Sequence, residues 1–421
     1  MSGIPASHWA IWSIAMVAVA GVIVRPWRVP EAAWAVAGAC LLVVSGLLPW
    51  RDAAVAVGKG FDVYLFLAGM MLLSELARRE GLFDFLAAHA VRLANGSPRR
   101  LFVLTYAIGT LVTIFMSNDA TAVVLTPAVY AAARKARAQT LPYLFACAFI
   151  ANAASFVLPI SNPANLVIFG RHMPPLPQWL AQFALPSLLA IAATFAMHRW
   201  LERGHLRTRI DPAVAIPVLS RGGAITGYGI AFVAVALLVA SFENLALGLP
   251  TVLATGAVAA VALAAKREAP WETLRHVSWS VLLLVAGLFV LVQGLQDTGV
   301  VARLAGVLQS GAHASVDATA WGTGVGLALA CNLVNNLPLG LIAGSALNGV
   351  TVDPLIRGAA TIAIDVGPNL SVTGSLATIL WLTAIRREGE HVSALQFLRL
   401  GALVMPAALL AALAGLWLVR G

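Results

Sequence analysis

Long apolar runs recur along the chain from Trp9 to Leu418, separated by short polar loops. Runs near 9–24, 32–49, 61–79, 142–170, 179–197, 222–242, 248–265, 277–296, 355–385 and 395–419 predict membrane-crossing helices, each needing roughly 20 apolar residues. Two further stretches, 101–133 and 316–350, are too long for one helix, and polar residues break each of them midway. Arg99-Arg100 and Arg134-Lys135-Arg137 flank the first stretch. Loop lysine and arginine mark the cytoplasmic side, so both ends of this stretch are expected inside. It then reads as a re-entrant hairpin, whose tip is tolerable only against protein or water. The second stretch has no Lys or Arg from Leu304 to Ile356, and His313, Asp317 and Asp353 flank it. Its ends are expected outside, so the two hairpins enter from opposite faces.

The halves also resemble each other. Leu67-Ala68-Gly69 with Gly81 matches Val285-Ala286-Gly287 with Gly299 at a constant offset of 218 residues. The polar pairs Asn118-Asp119 and Asn335-Asn336 follow at an offset of 217. A shift of 213 places Asn152 on Asp365. The expected fold is an all-α polytopic membrane protein. It has two inverted repeats of five transmembrane helices plus one re-entrant hairpin each. Residues 1–197 form the first repeat, with hairpin 101–133 entering from the cytoplasm. Residues 198–221 form a basic cytoplasmic linker, and 222–421 form the second repeat, with hairpin 316–350 entering from outside.

Composition agrees: 60% of residues are hydrophobic and 11% charged, against about 25% charged in a soluble domain. The net charge of +9 sits in short loops, where it orients the chain in a bilayer; it does not indicate nucleic acid. Cys40, Cys147 and Cys331 are far apart inside apolar runs, so no disulfide framework is expected. His172, His198 and His205 read as solvated loop residues. No cofactor and no metal site is expected. An intramembrane hydrolase would need a base beside its nucleophile, and no His lies near Ser117, Ser161 or Ser375 in the apolar runs.

The chemistry sits in four polar breaks. They are Ser117-Asn118-Asp119-Ala120-Thr121, Asn152 to Asn165, Asn335-Asn336, and Asp365-Val366-Gly367-Pro368-Asn369 with Ser371, Thr373, Gly374 and Ser375. Pro and Gly inside a span interrupt the helical ladder and free backbone groups. Repeated units with interrupted spans point to a secondary transporter whose site lies at the midplane. Asn118, Asn152, Ser161, Asn162, Asn165, Asn335, Asn336, Asn369, Thr373 and Ser375 are the expected substrate contacts. They supply donors and acceptors without net charge. Asp119 and Asp365 are the acids deepest in apolar sequence. Inserting a charged carboxylate there costs about 2.5–3.5 kcal/mol or more, so each is expected to have a partner or to carry a proton. They are the expected proton-coupling groups.

The runs Ser117 to Pro127, Ala151-Asn152-Ala153-Ala154-Ser155 with Ile160 to Asn165, and Asp365 to Asn369 with Thr373 to Thr378 resemble the ArsB arsenite efflux permeases. Asn335-Asn336-Leu337-Pro338 resembles that family's second hairpin tip. More broadly the chain is similar to the ion transporter superfamily, which includes divalent-anion/sodium symporters and NhaD-type sodium/proton antiporters. The resemblance implies a transport domain beside a scaffold domain, and export of arsenite and antimonite from the cytoplasm. It also implies an arsenical-stimulated ATPase subunit for some members. The function read from the sequence is therefore proton-coupled arsenite/antimonite efflux through a bacterial inner membrane. The alternative is a Na+/H+ antiporter or another carrier of the same fold.

Overall fold

A computed structural model describes residues 5–420. Those residues form α-helices with short connections and no strand. The first half runs through α1 (Ala6–Val24), α2 (Glu31–Val44), α3 (Trp50–Lys59), α4 (Phe61–Arg79), α5 (Leu82–Ala94) and α6 (Pro98–Phe115). It continues through α7 (Asn118–Ala120), a π-helical turn (Thr121–Leu125), α8 (Thr126–Lys135), α9 (Leu141–Ala153), α10 (Pro163–Phe169) and α11 (Leu176–Leu201). The second half holds α12 (Arg221–Phe242), α13 (Gly248–Lys266), α14 (Pro270–His276), α15 (Ser280–Asp297) and α16 (Val300–Ala314). It closes with α17 (Val316–Val334), α18 (Asn336–Asn348), α19 (Pro354–Val366), α20 (Leu376–Arg387) and α21 (Ala394–Leu418). Seven of these helices are individually long and apolar enough to cross a membrane, and the pair α3–α4, bent by 49°, adds an eighth. The protein is a multi-pass membrane protein.

The expected single spans 142–170 and 355–385 are each two short helices separated by an irregular turn: α9 with α10, and α19 with α20. The breaks fall where Pro159 and Pro163 in one half, and Gly367-Pro368 in the other, remove ladder hydrogen bonds. Both long hairpin stretches break at a residue with positive φ, Ser117 (138°) and Asn335 (76°). Each caps the following helix: Ser117 Oγ accepts from Ala120 N–H, and Asn335 Oδ1 from Leu337 N–H. These two caps are 218 residues apart, the same offset as Gly81 (φ 70°) and Gly299 (φ 76°). The structural register therefore pairs Asn118 with Asn336, and Asp119 with Leu337. This corrects the offset of 217 and the pairing of Asp119 with Asn336.

The shared Gly69 and Gly287 have a packing cause. A Cβ on Gly69 of α4 would lie 3.0 Å from the backbone of Thr251 on α13. A Cβ on Gly287 of α15 would lie 2.7 Å from the backbone of Ala35 on α2. In each half, the bare glycine lets a helix of the other half pack backbone to backbone.

The sequence reading missed α5 and α16, which follow Gly81 and Gly299. Both are amphipathic, so neither stands out as an apolar run. The linker also differs: α11 continues to Leu201, so His198 lies in helix, and α12 starts at Arg221. His198 is fully buried, with Phe102 and Phe149 ring centroids each 5.1 Å away and Tyr106 Oη 2.8 Å from Nδ1. It is not a solvated loop residue. His205 and His172 are exposed, as expected.

Candidate functional site

The two helix breaks meet. Asp365, at the end of α19, is fully buried, and its Oδ1 accepts from Ser155 Oγ at 2.8 Å and from Asn162 Nδ2. Asn152, at the matching end of α9, donates to Asn369 Oδ1 at 2.9 Å and to Thr378 Oγ1 at 3.3 Å. Its own Oδ1 accepts from Ser375 Oγ at 3.3 Å. Asn369 Nδ2 donates to Phe149 O, Asn165 Nδ2 to Ser155 O, and Ser155 Oγ also reaches Asn152 O. Asn152, Asn162, Asn165, Asp365, Asn369 and Ser375 thus share one hydrogen-bonded network with Ser155 and Thr378.

Asn162 and Ser375 hold their places for a local reason. Each is extended, and each caps the half-helix that follows: Asn162 Oδ1 accepts from Ala164 N–H, and Ser375 Oγ from Thr378 N–H. Two helix N-termini, with their partial positive charge, therefore lie at the centre of the network. Ser161 serves the neighbouring element instead. Its hydroxyl donates to Ile114 O at the end of α6, and its Oγ accepts from Leu158 N–H.

The break at Asn335-Asn336 forms an adjoining cluster. Asn335 Nδ2 donates to Thr373 O, and Thr373 Oγ1 donates to Asn332 O. Asn332 Nδ2 donates to Gly367 O at 3.1 Å, and its Oδ1 accepts from Ser371 Oγ at 2.7 Å. Asn336 is buried beside Asn335. Thr373 and Asn335 therefore support the break more than they reach the central network. The sequence reading missed Asn332 and Thr378. The shift of 213 that pairs Asn152 with Asp365 also pairs Asn162 with Ser375 and Asn165 with Thr378, and would have found the latter. Asn332 lies one helical turn before Asn335-Asn336, a spacing that puts it on the same helix face.

The first tip faces open space. A cavity of about 780 Å³ runs between α4 and the π-helical turn with α8. Ser117, Asp119 and Pro163 line its inner end. Exposed Arg78, His276, Arg387 and Glu388 stand at its rim. Glu75 also lines it and is held by Arg78 through two hydrogen bonds of 2.8 and 2.7 Å. Asp119 is half-buried, and no hydrogen bond ties its carboxylate to another described residue. Behind it the π-helical turn is set by Thr126, whose N–H and hydroxyl both reach Thr121 O, and by Pro127, which has no N–H to offer Val123.

Known proteins identify the family. The sequence profile of the CitMHS family, described as citrate transporters, matches residues 13–364. The chain belongs to this family. An arsenical pump membrane protein of Yersinia enterocolitica is 30% identical over 90% of this chain and 91% of its own. One of Escherichia coli K12 is 29% identical over 90% and 91% respectively. These relatives place the chain among the ArsB-type permeases, which are membrane transporters and not enzymes. The solved YdaH transporter of Alcanivorax borkumensis shares the fold, with a TM-score of 0.60 over 98% of each chain at 16% identity.

Proposed function

We propose that this family member exports arsenite and antimonite, as the neutral trihydroxide, across a bacterial inner membrane in exchange for protons. Of the buried side-chain oxygens that lack a hydrogen-bond partner among the described residues, the three at the helix breaks carry the reading: Asn118 Oδ1, Asn165 Oδ1 and Asp365 Oδ2. An unmatched buried acceptor is costly, and a trihydroxide brings three O–H donors. Citrate, the name-giving substrate of the family profile, fits worse. Its carboxylates call for arginine or lysine, and none is buried among the described residues. The names of the two arsenical pump relatives favour the same solute.

Hydrogen counting supports proton coupling at Asp365. Ser155 has one hydroxyl proton, yet its Oγ lies 2.7 Å from Asn152 O and 2.8 Å from Asp365 Oδ1. With Asp365 protonated at Oδ1, the acid donates to Ser155 and Ser155 donates to Asn152 O, so both of the short Ser155 contacts are hydrogen bonds. With Asp365 ionised, Ser155 turns its hydroxyl to the carboxylate, and Asn152 O keeps only the Ser155 backbone N–H at 3.2 Å. Proton release at Asp365 would thus rearrange the network joining the halves. Asp119, at the cavity's inner end, is the group best placed to exchange a proton with water. The basic loops at the cavity rim make this an inward-open vestibule under the positive-inside rule, ready to load from the cytoplasm. The two halves would then be inverted copies, with hairpin tips entering from opposite sides.

Arsenite flux into everted vesicles, with and without a pH gradient, tests the proposal. The purified chain alone should carry the flux, with no ATPase subunit added. Liposomes that move no arsenite under any imposed gradient would sink it. The unpartnered oxygens and two acids also suit a hard cation, which keeps a Na+/H+ antiporter as the second reading. Sodium flux without arsenite flux in the same vesicles would select it.

A further inference from the structure

The linker is a built surface. Ile210 N–H donates to Gly96 O at 3.2 Å and Asp211 N–H to Ala136 O at 2.8 Å. Leu206, Ile210 and Val214 are buried against the helices. Ser220 Oγ, which caps α12, donates to Glu80 Oε2 at 2.6 Å. Residues 214–217 also wall a second cavity of about 510 Å³, which shares Asp84, Ala128 and Ala131 with the vestibule. The linker and the vestibule therefore lie on one face of the protein.

Those two backbone bonds gather three basic segments that are far apart in sequence. Arg99 and Arg100 follow Gly96, Lys135 and Arg137 flank Ala136, and Arg207 and Arg209 precede Ile210. All six side chains are exposed. None forms an ion pair among the described residues. Two nearby acids are spent internally: Glu202 is buried and bonded to His205, and Asp211 Oδ1 accepts from Ala213 N–H. A third, Asp84, is exposed in the cavity that Lys135 lines, which leaves the patch six cations to one free acid.

We infer that this surface binds the headgroups of anionic phospholipids. Clustered Lys and Arg at the ends of membrane helices attract anionic lipid at about 1 kcal/mol per charge. The patch also joins the lipid-facing surface directly, which favours lipid over a soluble acidic protein. It adjoins the end of α11, an apolar helix, where the Arg203 guanidinium lies 5.5 Å over the ring of half-exposed Trp200 and that of Arg199 5.8 Å over Phe195. Such pairs place an aromatic body in the interface and a cation at headgroup level. Bound lipid would hold the linker at the C-terminal end of α8, where Asp211 meets Ala136. The inference does not depend on which solute is carried.

Native mass spectrometry of the purified full-length chain tests it, with phosphatidylglycerol and phosphatidylcholine as probes. Wild type should retain phosphatidylglycerol over phosphatidylcholine and lose that preference as salt rises. Arg137→Gln, Arg207→Gln and Arg209→Gln should each weaken phosphatidylglycerol retention by about fivefold at low salt, whereas the Arg→Lys variants should keep it. The salt titration on wild type needs no variant and covers the case of a variant that fails to fold. Equal retention of both lipids by wild type, or unchanged phosphatidylglycerol retention in the triple Gln variant, overturns the inference. Unchanged lipid retention with lost binding of a polyglutamate peptide would assign the surface to an acidic protein instead.

Discussion

Asn162 donates a hydrogen bond to Asp365, joining the cap of a half-helix in one half of the chain to the end of a broken span in the other. The matching bond runs the other way: Ser375, the cap of α20, donates to Asn152 at the end of α9. The two crossings relate by one shift of 213 residues, so the halves are laced by a reciprocal pair. One strand of the lacing ends in an amide and the other in an acid. That difference is where a proton can act, because the amide cannot release one.

Asp365→Asn should fold and lose pH-driven flux. The amide keeps the size and can still accept from Asn162, but it fixes the network in its neutral form. Flux in everted vesicles should fall to background, while thermal stability in detergent stays near wild type. Asp119→Asn should likewise abolish the dependence on the pH gradient. A wild-type pH profile in either variant would remove that acid from the coupling step.

Asn332→Ala tests the hub behind the second tip. Its side chain donates to Gly367 O and accepts from Ser371. Removing it takes the side-chain donor from Gly367 O beside the broken span, at a cost of roughly 1–3 kcal/mol, while Ser371 keeps Thr373 Oγ1 at 2.9 Å. The variant should melt earlier in detergent and transport poorly. Unchanged melting and flux would show that water replaces the side chain and that the hub does not position the site.

Gly287→Ala should be destabilising. The added methyl would meet the Ala35 backbone at 2.7 Å, and such overpacking costs about 1–3 kcal/mol. Gly306→Ala is the control on α16, with nothing within 4 Å of its Cβ position. It should be neutral or stabilise by about 0.5–1 kcal/mol, since alanine is the better helix former. Equal melting temperatures for the two variants would contradict the close helix approach.

The breaks, the hairpin ends and most of the polar site were legible because each is a local conflict: Pro, Gly or Asn inside apolar sequence. Partnerships were not legible. The shift of 213 points to Thr378 through Asn165, but not to its bond with Asn152, and Ser155 meets Asp365 only because two broken spans cross. His198 was misread for the same reason. Arg199 and Arg203 follow it and resemble a loop, but Phe102, Tyr106 and Phe149 arrive from distant helices to enclose it. Helices α5 and α16 escaped because an amphipathic helix carries too little mean hydropathy to register as a span. The tip register was off by one because adjacent polar residues offered two alignments, and only the positive φ at Ser117 and Asn335 decided between them.

Labels at Gln139 and Gly204 should report the cytoplasm, and labels at Ala314 and Thr351 the outside. All four residues are exposed and lie at helix ends or in loops. The charge pattern sets the expectation: Arg99-Arg100 and Arg134-Lys135-Arg137 close off the first hairpin, and positive loops of this length resist translocation. The fold adds a structural reason for the first pair. Asp211 of the linker bonds to Ala136 and Ile210 bonds to Gly96, so the linker and both ends of the first hairpin share one face. A chain whose Ser97 and Gln139 labels reported opposite faces would break that contact and make the hairpin an ordinary crossing. Asp119 would then lie on a span of its own, and the vestibule would no longer be a path from the cytoplasm to the site.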